Sequence, residues 1–198
     1  MISASGCSEG RRDFGRQDKV NDWTVTISGK GYRLTAPHHG CDCLVGKAGF
    51  IAGDDKREGD MATPVGIWPL RKVYYRPDRM APPDTGLPVI SLSPDMGWCD
   101  DPGDPEYNRP VKLPHAARHE KLWREDGLYD LIVVLGHNDS PPVPWHGSAV
   151  FLHLREADTT HTAGCVAVTR QDLLELLRKA DSGTVLHIGD DHRGEAAS

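Results

Sequence analysis

Glycine and proline interrupt this chain so often that long helices have almost nowhere to form. Together they account for 36 of 198 residues (21 Gly and 15 Pro), against about 12% in an average protein. The segments between them read as short strands. One stretch escapes. Thr169 and Asp172 resemble a capping box, and Leu173, Leu174, Leu177 and Ala180 then fall on one face at helical spacing. Ser182 and Gly183 stop that helix. There is no alternation of strand and helix, so the expected fold is mainly β, largely antiparallel, packed with one principal helix.

The strands can be placed by period. "DWTVTISGKGYRLTA" alternates around Gly29 and Gly31, with Trp23, Val25 and Ile27 on one face before the turn and Tyr32 and Leu34 after it. "CLVGKAGFIA", a run from about Gly66 to Tyr75, and "LPVISLS" add further short strands. Leu128 to Leu135 is nearly continuous in apolar residues and predicts a central strand buried on both faces. "GSAVFLHL" at 147–154, Cys165 to Val168, and "TVLHIG" complete the set. Residues 77–120, rich in Pro, Asp and Gly, are too long for a simple connection. They hold Trp98 and Tyr107, so they read as an ordered insertion that lines a site. Residues 1–20 read as a polar tail, 21–190 as one domain, and 191–198 as a second tail.

Composition removes several classes of function. A net charge of -6 and a pI near 5.9 leave no basic footprint for nucleic acid. No apolar run approaches the roughly 18 residues needed to span a bilayer. Residues 1–20 contain no apolar core of a secretory signal. The five cysteines (7, 41, 43, 99 and 165) are odd in number and sit in a chain long enough to build a core, so no disulfide framework is expected. "HHGCDC" groups His38, His39, Cys41 and Cys43, but Cys-x-Cys is off the usual zinc spacing and no second ligand pair is evident. "DDPGDPE" at 100–106 lacks the order of a calcium loop and reads as a solvated acidic turn, able to attract a cationic amine. Neither a metal nor a cofactor is expected.

Chemistry concentrates in "HTAGCVAV", residues 161–168. A nucleophilic cysteine needs a base within reach and a group to hold that base. His153 lies twelve residues before Cys165, late in a strand, and the chain between is long enough to reverse. Gly164 permits close approach of a substrate, and the amides of Gly164 and Cys165 are placed to face an oxyanion. Spacing alone leaves a second reading open: a buried thiol beside a satisfied core histidine.

"FLHL…THTAGCVAV" resembles the signature of the YkuD-type L,D-transpeptidases, and "KREGDMATPVGIWPL" resembles their Asp-x-x-Thr-Pro-x-Gly segment. "GWCDDPGDPEYNRPV", "LYDLIVVLGHN" and "HGSAVFLHL" look like a divergent Gram-negative branch, and the likeness covers about residues 40–189. It implies a β-sandwich of mixed and antiparallel strands. It implies Cys165 as the acyl-accepting nucleophile, His153 as its base, Thr162 as the residue whose carbonyl orients that base, and Gly164 with Cys165 as oxyanion donors. Donor and acceptor would be peptidoglycan stem peptides, joined through a thioester in the periplasm. Hydrolysis as an L,D-carboxypeptidase or amidase, and a noncatalytic wall-binding module, are the alternatives. The chain departs from the pattern at Ala163, Ala167 and Leu154, where the family has His, Arg and Gly. With the arginine gone, His137, Asn138, Tyr107, Asn108 and Trp98 become the candidates for holding substrate.

Overall fold

The computed structural model describes residues 22–29 and 31–189; the two expected tails fall outside the described residues. The strands are β1 (Trp23–Ser28), β2 (Gly31–Ala36), β3 (His39–Cys43), β4 (Phe50–Ala52), β5 (Thr63–Tyr75), β6 (Val89–Ser91) and β7 (Met96–Cys99). They continue as β8 (Pro110–Lys112), β9 (His119–Lys121), β10 (Leu131–Leu135), β11 (Phe151–Leu154), β12 (Val166–Val168) and β13 (Val185–Ile188). The helix α1 (Arg170–Leu177) lies between the last two strands.

The main sheet runs β12-β11-β10-β5-β13-β1-β2-β3, with β4 and β6 pairing alongside β5. The 13-residue β5 joins its two halves. Gly66 to Pro69 pairs with β13, and Leu70 to Tyr75 pairs with β10. The ends of the path meet, because Leu44 and Ala167 exchange backbone hydrogen bonds of 2.8 and 2.9 Å. Pairing is mixed: β1–β13, β4–β5, β5–β6 and β11–β12 are parallel and the rest antiparallel. "TVLHIG" forms β13, the last strand along the chain. It inserts between β5 and β1.

The core follows the two-residue period of the strands. Leu131, Val133 and Leu135, with Leu152, Leu154, Val166 and Val168, meet Trp23, Val25 and Leu34 and the underside of α1 in one apolar cluster. Burying each such leucine contributes about 1.5–3 kcal/mol. Thr169 caps α1, its hydroxyl accepting from Asp172 N at 3.2 Å. The buried helix face is Leu173, Leu176 and Leu177. Leu174, expected there, packs from the edge, and Leu176 was not anticipated.

The opposite face of β10 and β11 is covered too. Ile132, Val134 and Phe151 pack with Trp98, Leu122 and Tyr129 in a second cluster, which also holds Cys165. Trp98 comes from the insertion, which folds into its own sheet, β8-β7-β9. That roof is why the central run is buried on both faces. The strand expected from Gly147 starts only at Phe151, because Gly147 and Ala149 both have positive φ (87° and 51°).

Candidate active site

β11 and β12 run parallel, with His153 opposite Ala167. Cys165 precedes β12 by one residue, so its side chain faces the same side of the sheet as Phe151 and His153. Both Cys165 and His153 line a cleft of about 600 Å³. The insertion supplies Asp100, His119 and Glu120 to its wall, and the segment before β5 supplies Lys56 and Glu58.

The cysteine is held firmly. Its Sγ donates to Ala149 O (3.2 Å) and accepts from Phe151 N (3.4 Å). Its carbonyl accepts from two threonine hydroxyls, Thr162 at 2.6 Å and Thr63 at 3.3 Å. Thr63 Oγ1 also accepts from Gly46 N at 2.8 Å. The Asp-x-x-Thr-Pro stretch is thereby fastened directly beneath Cys165. Gly164 has φ +138°, and a Cβ there would lie 2.8 Å from Ala62 O, so the turn admits glycine and little else. Burial pushes the Cys165 thiol up to about 12, with Glu120 adding to the effect. The resting group is a neutral thiol.

His153 Nδ1 bonds Leu154 O at 2.7 Å. With Nδ1–H donating, Nε2 is the basic nitrogen. Burial lowers its pKa to about 4, against the pull of the Leu154 carbonyl, so the ring is a neutral base at physiological pH. Tyr129 packs edge-on to it at 5.2 Å between centroids. Tyr129 in turn donates to Glu120 Oε1 at 2.6 Å. Burial raises Glu120 above the usual carboxylate range.

Several expectations need correction. The carbonyl that orients His153 belongs to Leu154, the next residue. Thr162 O accepts instead from Lys47 N at 3.0 Å, because Thr162 forms a bridge with Gly46. The Gly164 amide donates to Thr162 Oγ1 (3.1 Å). Ala167 is fully buried in β12. None of Trp98, Tyr107, Asn108, His137 or Asn138 lines the cleft. They form the frame behind it. Asn108 accepts from Trp98 Nε1 (2.9 Å) and Ala149 N (3.0 Å) and donates to the carbonyls of His137 (3.1 Å) and Asn138 (2.7 Å). Tyr107 donates to Glu58 at 2.5 Å, and Asn138 staples its own loop through Val143 and Gly147. His137 is packed against Trp68, and burial lowers its pKa to about 4.

Lys56 is a further residue of the cleft. Its side chain is 5% exposed, its Nζ pairs with Asp60 and donates to Arg57 O, and that Nζ would lie 3.6 Å from a Cβ on Gly164. Burial opposes charge on Asp60, but hydrogen bonds from Arg57 N, Lys56 and Ala62 N outweigh it and hold the carboxyl below its usual range. A lone lysine in a charged loop carries no sequence signal for such a position. Among the "HHGCDC" residues, His38 bonds Glu175 O and His39 bonds Asp172, which pins β3 to α1, while Cys43 is buried.

The family model for the L,D-transpeptidase catalytic domain, YkuD, matches residues 18–188. The chain belongs to the YkuD family. No curated protein matches the chain. One solved structure that resembles it is Bd1075 of Bdellovibrio bacteriovorus, with 12% identity, a TM-score of 0.40, and alignment over 87% of this YkuD chain and 49% of that one. The chain therefore spans about half the length of Bd1075. No helix among the described residues is long and apolar enough to cross a membrane.

Proposed function

We propose that this YkuD domain is a cysteine acyltransferase that cross-links peptidoglycan stem peptides in the cell envelope. The observation that carries the reading is Cys165 and His153 on one face of a parallel strand pair, at the floor of a cleft, with His153 Nδ1 anchored so that Nε2 is the basic nitrogen.

The cycle begins with the thiol leaving the Ala149 carbonyl for His153 Nε2. Sγ attacks the carbonyl of a bond between an L-centre and a D-centre as Nε2 takes its proton. The Cys165 amide stabilises the oxyanion, since the Gly164 amide is engaged by Thr162. Collapse breaks the C–N bond, the imidazolium returns the proton to the leaving amine, and a thioester remains. An amine of a second stem attacks the thioester and loses its proton to His153; the C–S bond breaks, and the imidazolium returns that proton to the departing Cys165 thiolate.

Cleft charge fits a two-substrate reaction. Lys56 is the cation beside the nucleophile and takes over the role of the missing arginine, reading a carboxylate on the donor. Glu58, Asp100 and Glu120 form the acidic wall that receives the acceptor ammonium. The test is to incubate the protein with purified stem peptides and separate the products by mass. A cross-linked dimer, with release of one D-amino acid per link, is expected from wild type and not from Cys165→Ala. Hydrolysis alone would make it a carboxypeptidase. Retention of intact peptide would leave a wall-binding module.

A further inference from the structure

Two clusters among the described residues bring three potential metal ligands within 4.8 Å of one another: His39 with Cys41 and Asp172, and Cys99 with Asp104 and His115. They differ in how well they are already satisfied. In the first, His39 Nε2 bonds Asp172 Oδ1 at 2.8 Å, and the other carboxylate oxygen accepts from Thr169 at 2.5 Å. Nothing there asks for an ion. In the second, His115 Nε2 is buried with no hydrogen-bond partner among the described residues, although Asp104 Oδ2 is only 3.5 Å away. Cys99 beside it is fully buried. Buried polar atoms are nearly always paired, so an orphaned imidazole nitrogen facing a carboxylate and a thiol needs an explanation.

We propose that Cys99, Asp104 and His115 bind a zinc ion. Sulfur, nitrogen and oxygen donors together suit this borderline ion, which imposes no geometry of its own. On binding, Cys99 gives its proton to solvent and its thiolate enters the coordination shell. The site is pre-shaped by its backbone. Cys99 N bonds Arg109 O and its carbonyl accepts from Asn108 N, both at 2.9 Å. Asp104 Oδ1 is fixed by Glu106 N at 2.7 Å, which leaves Oδ2 turned toward His115. The Asp104 and His115 side chains keep 20% exposure, which admits water to the fourth position. Asp104 and His115 lie in loops flanking β8, where no strand holds them. An ion here would staple those loops to β7. Asp100 follows Cys99 directly and His119 pairs with it across β7 and β9, and both line the catalytic cleft. The ion would thus set one wall of the cleft without touching the reacting atoms.

The test uses the full chain, stripped with chelator, loaded with zinc and dialysed. One zinc per chain is expected for wild type and for Cys41→Ser, with loss from Cys99→Ser and His115→Gln. Zinc should raise the Tm of stripped wild type by several degrees and leave that of His115→Gln unmoved. Cobalt loading of wild type should give a thiolate-to-metal charge-transfer band that persists in Cys41→Ser. Zinc-free protein after dialysis, zinc retained by both Cys99→Ser and His115→Gln, or cobalt binding without the thiolate band would each overturn the site. The cobalt spectrum decides even where a variant fails to fold.

Discussion

β10 and β11 are two-faced, and their faces follow different rules. Toward α1 they present Leu131, Val133, Leu135, Leu152 and Leu154, aliphatic throughout. Toward the insertion they present Ile132, Val134, Phe151 and His153, packed with Tyr129 and Cys165 and bordered by Glu120. Alternate residues of the same nine positions thus serve the core and the chemistry. The aliphatic face holds the strands in register. The other face can bury a thiol and an imidazole because the first face has already fixed the backbone beside them.

The sharpest way to break this contrast is to alter residues on each face in turn. Cys165→Ala should leave the fold intact and lower turnover of stem peptides by on the order of 10⁴-fold or more, measured by product mass. Retained turnover would remove Cys165 from the mechanism. His153→Gln should slow acylation by about 10²–10⁴-fold with little change in stability. Leu152→Ala, on the helix-facing side, should do the reverse. It should cost about 2–5 kcal/mol in urea unfolding while the folded fraction still acylates.

Acid should expose the difference next. His153 and His137 are both held near 4 in the folded chain, below the ordinary value of about 6.5. As pH falls, the unfolded chain takes up these protons first. Stability is therefore full above about pH 6.5 and declines between 6.5 and 4, by roughly 3 kcal/mol per histidine. Denaturant titrations across that window should show the slope, and His137→Gln with His153→Gln should flatten it. The smallest effect belongs to Lys56. Lys56→Met should raise donor KM by roughly tenfold, the worth of one charge-assisted hydrogen bond, with kcat little changed. A fall in kcat at unchanged KM would make Lys56 a part of the frame around Gly164 and not a substrate contact.

The helix-facing side was the more legible in the sequence. Apolar period, the Thr169 cap and the Gly29 turn are local signals, and each produced the element it announced. The unbroken run in β10 was readable because burial on both faces leaves no polar position. The other side is assembled from distant segments. Thr63 supports a carbonyl 102 residues away, and Glu58 meets Tyr107 across 49. No periodicity encodes such pairings. The five candidates to replace the arginine lie at the end of the central strand and in the long insertion, but Asn108 and Asn138 use their amides on backbone groups, and the charged lining of the cleft comes from Lys56, Glu58, Asp100, Glu120 and Arg124. The orienting carbonyl belongs to Leu154, the residue after His153 in β11, while the Thr162 carbonyl is engaged by Lys47 N.

The most direct test is the intact mass of the protein after incubation with a carbapenem, for wild type, Cys165→Ala and His153→Ala. A covalent adduct on wild type, absent from Cys165→Ala and slowed in His153→Ala, is the predicted result. An unmodified wild type whose thiol also resists small alkylating agents under alkaline conditions would contradict it, and Cys165 would then be a core residue and not a nucleophile.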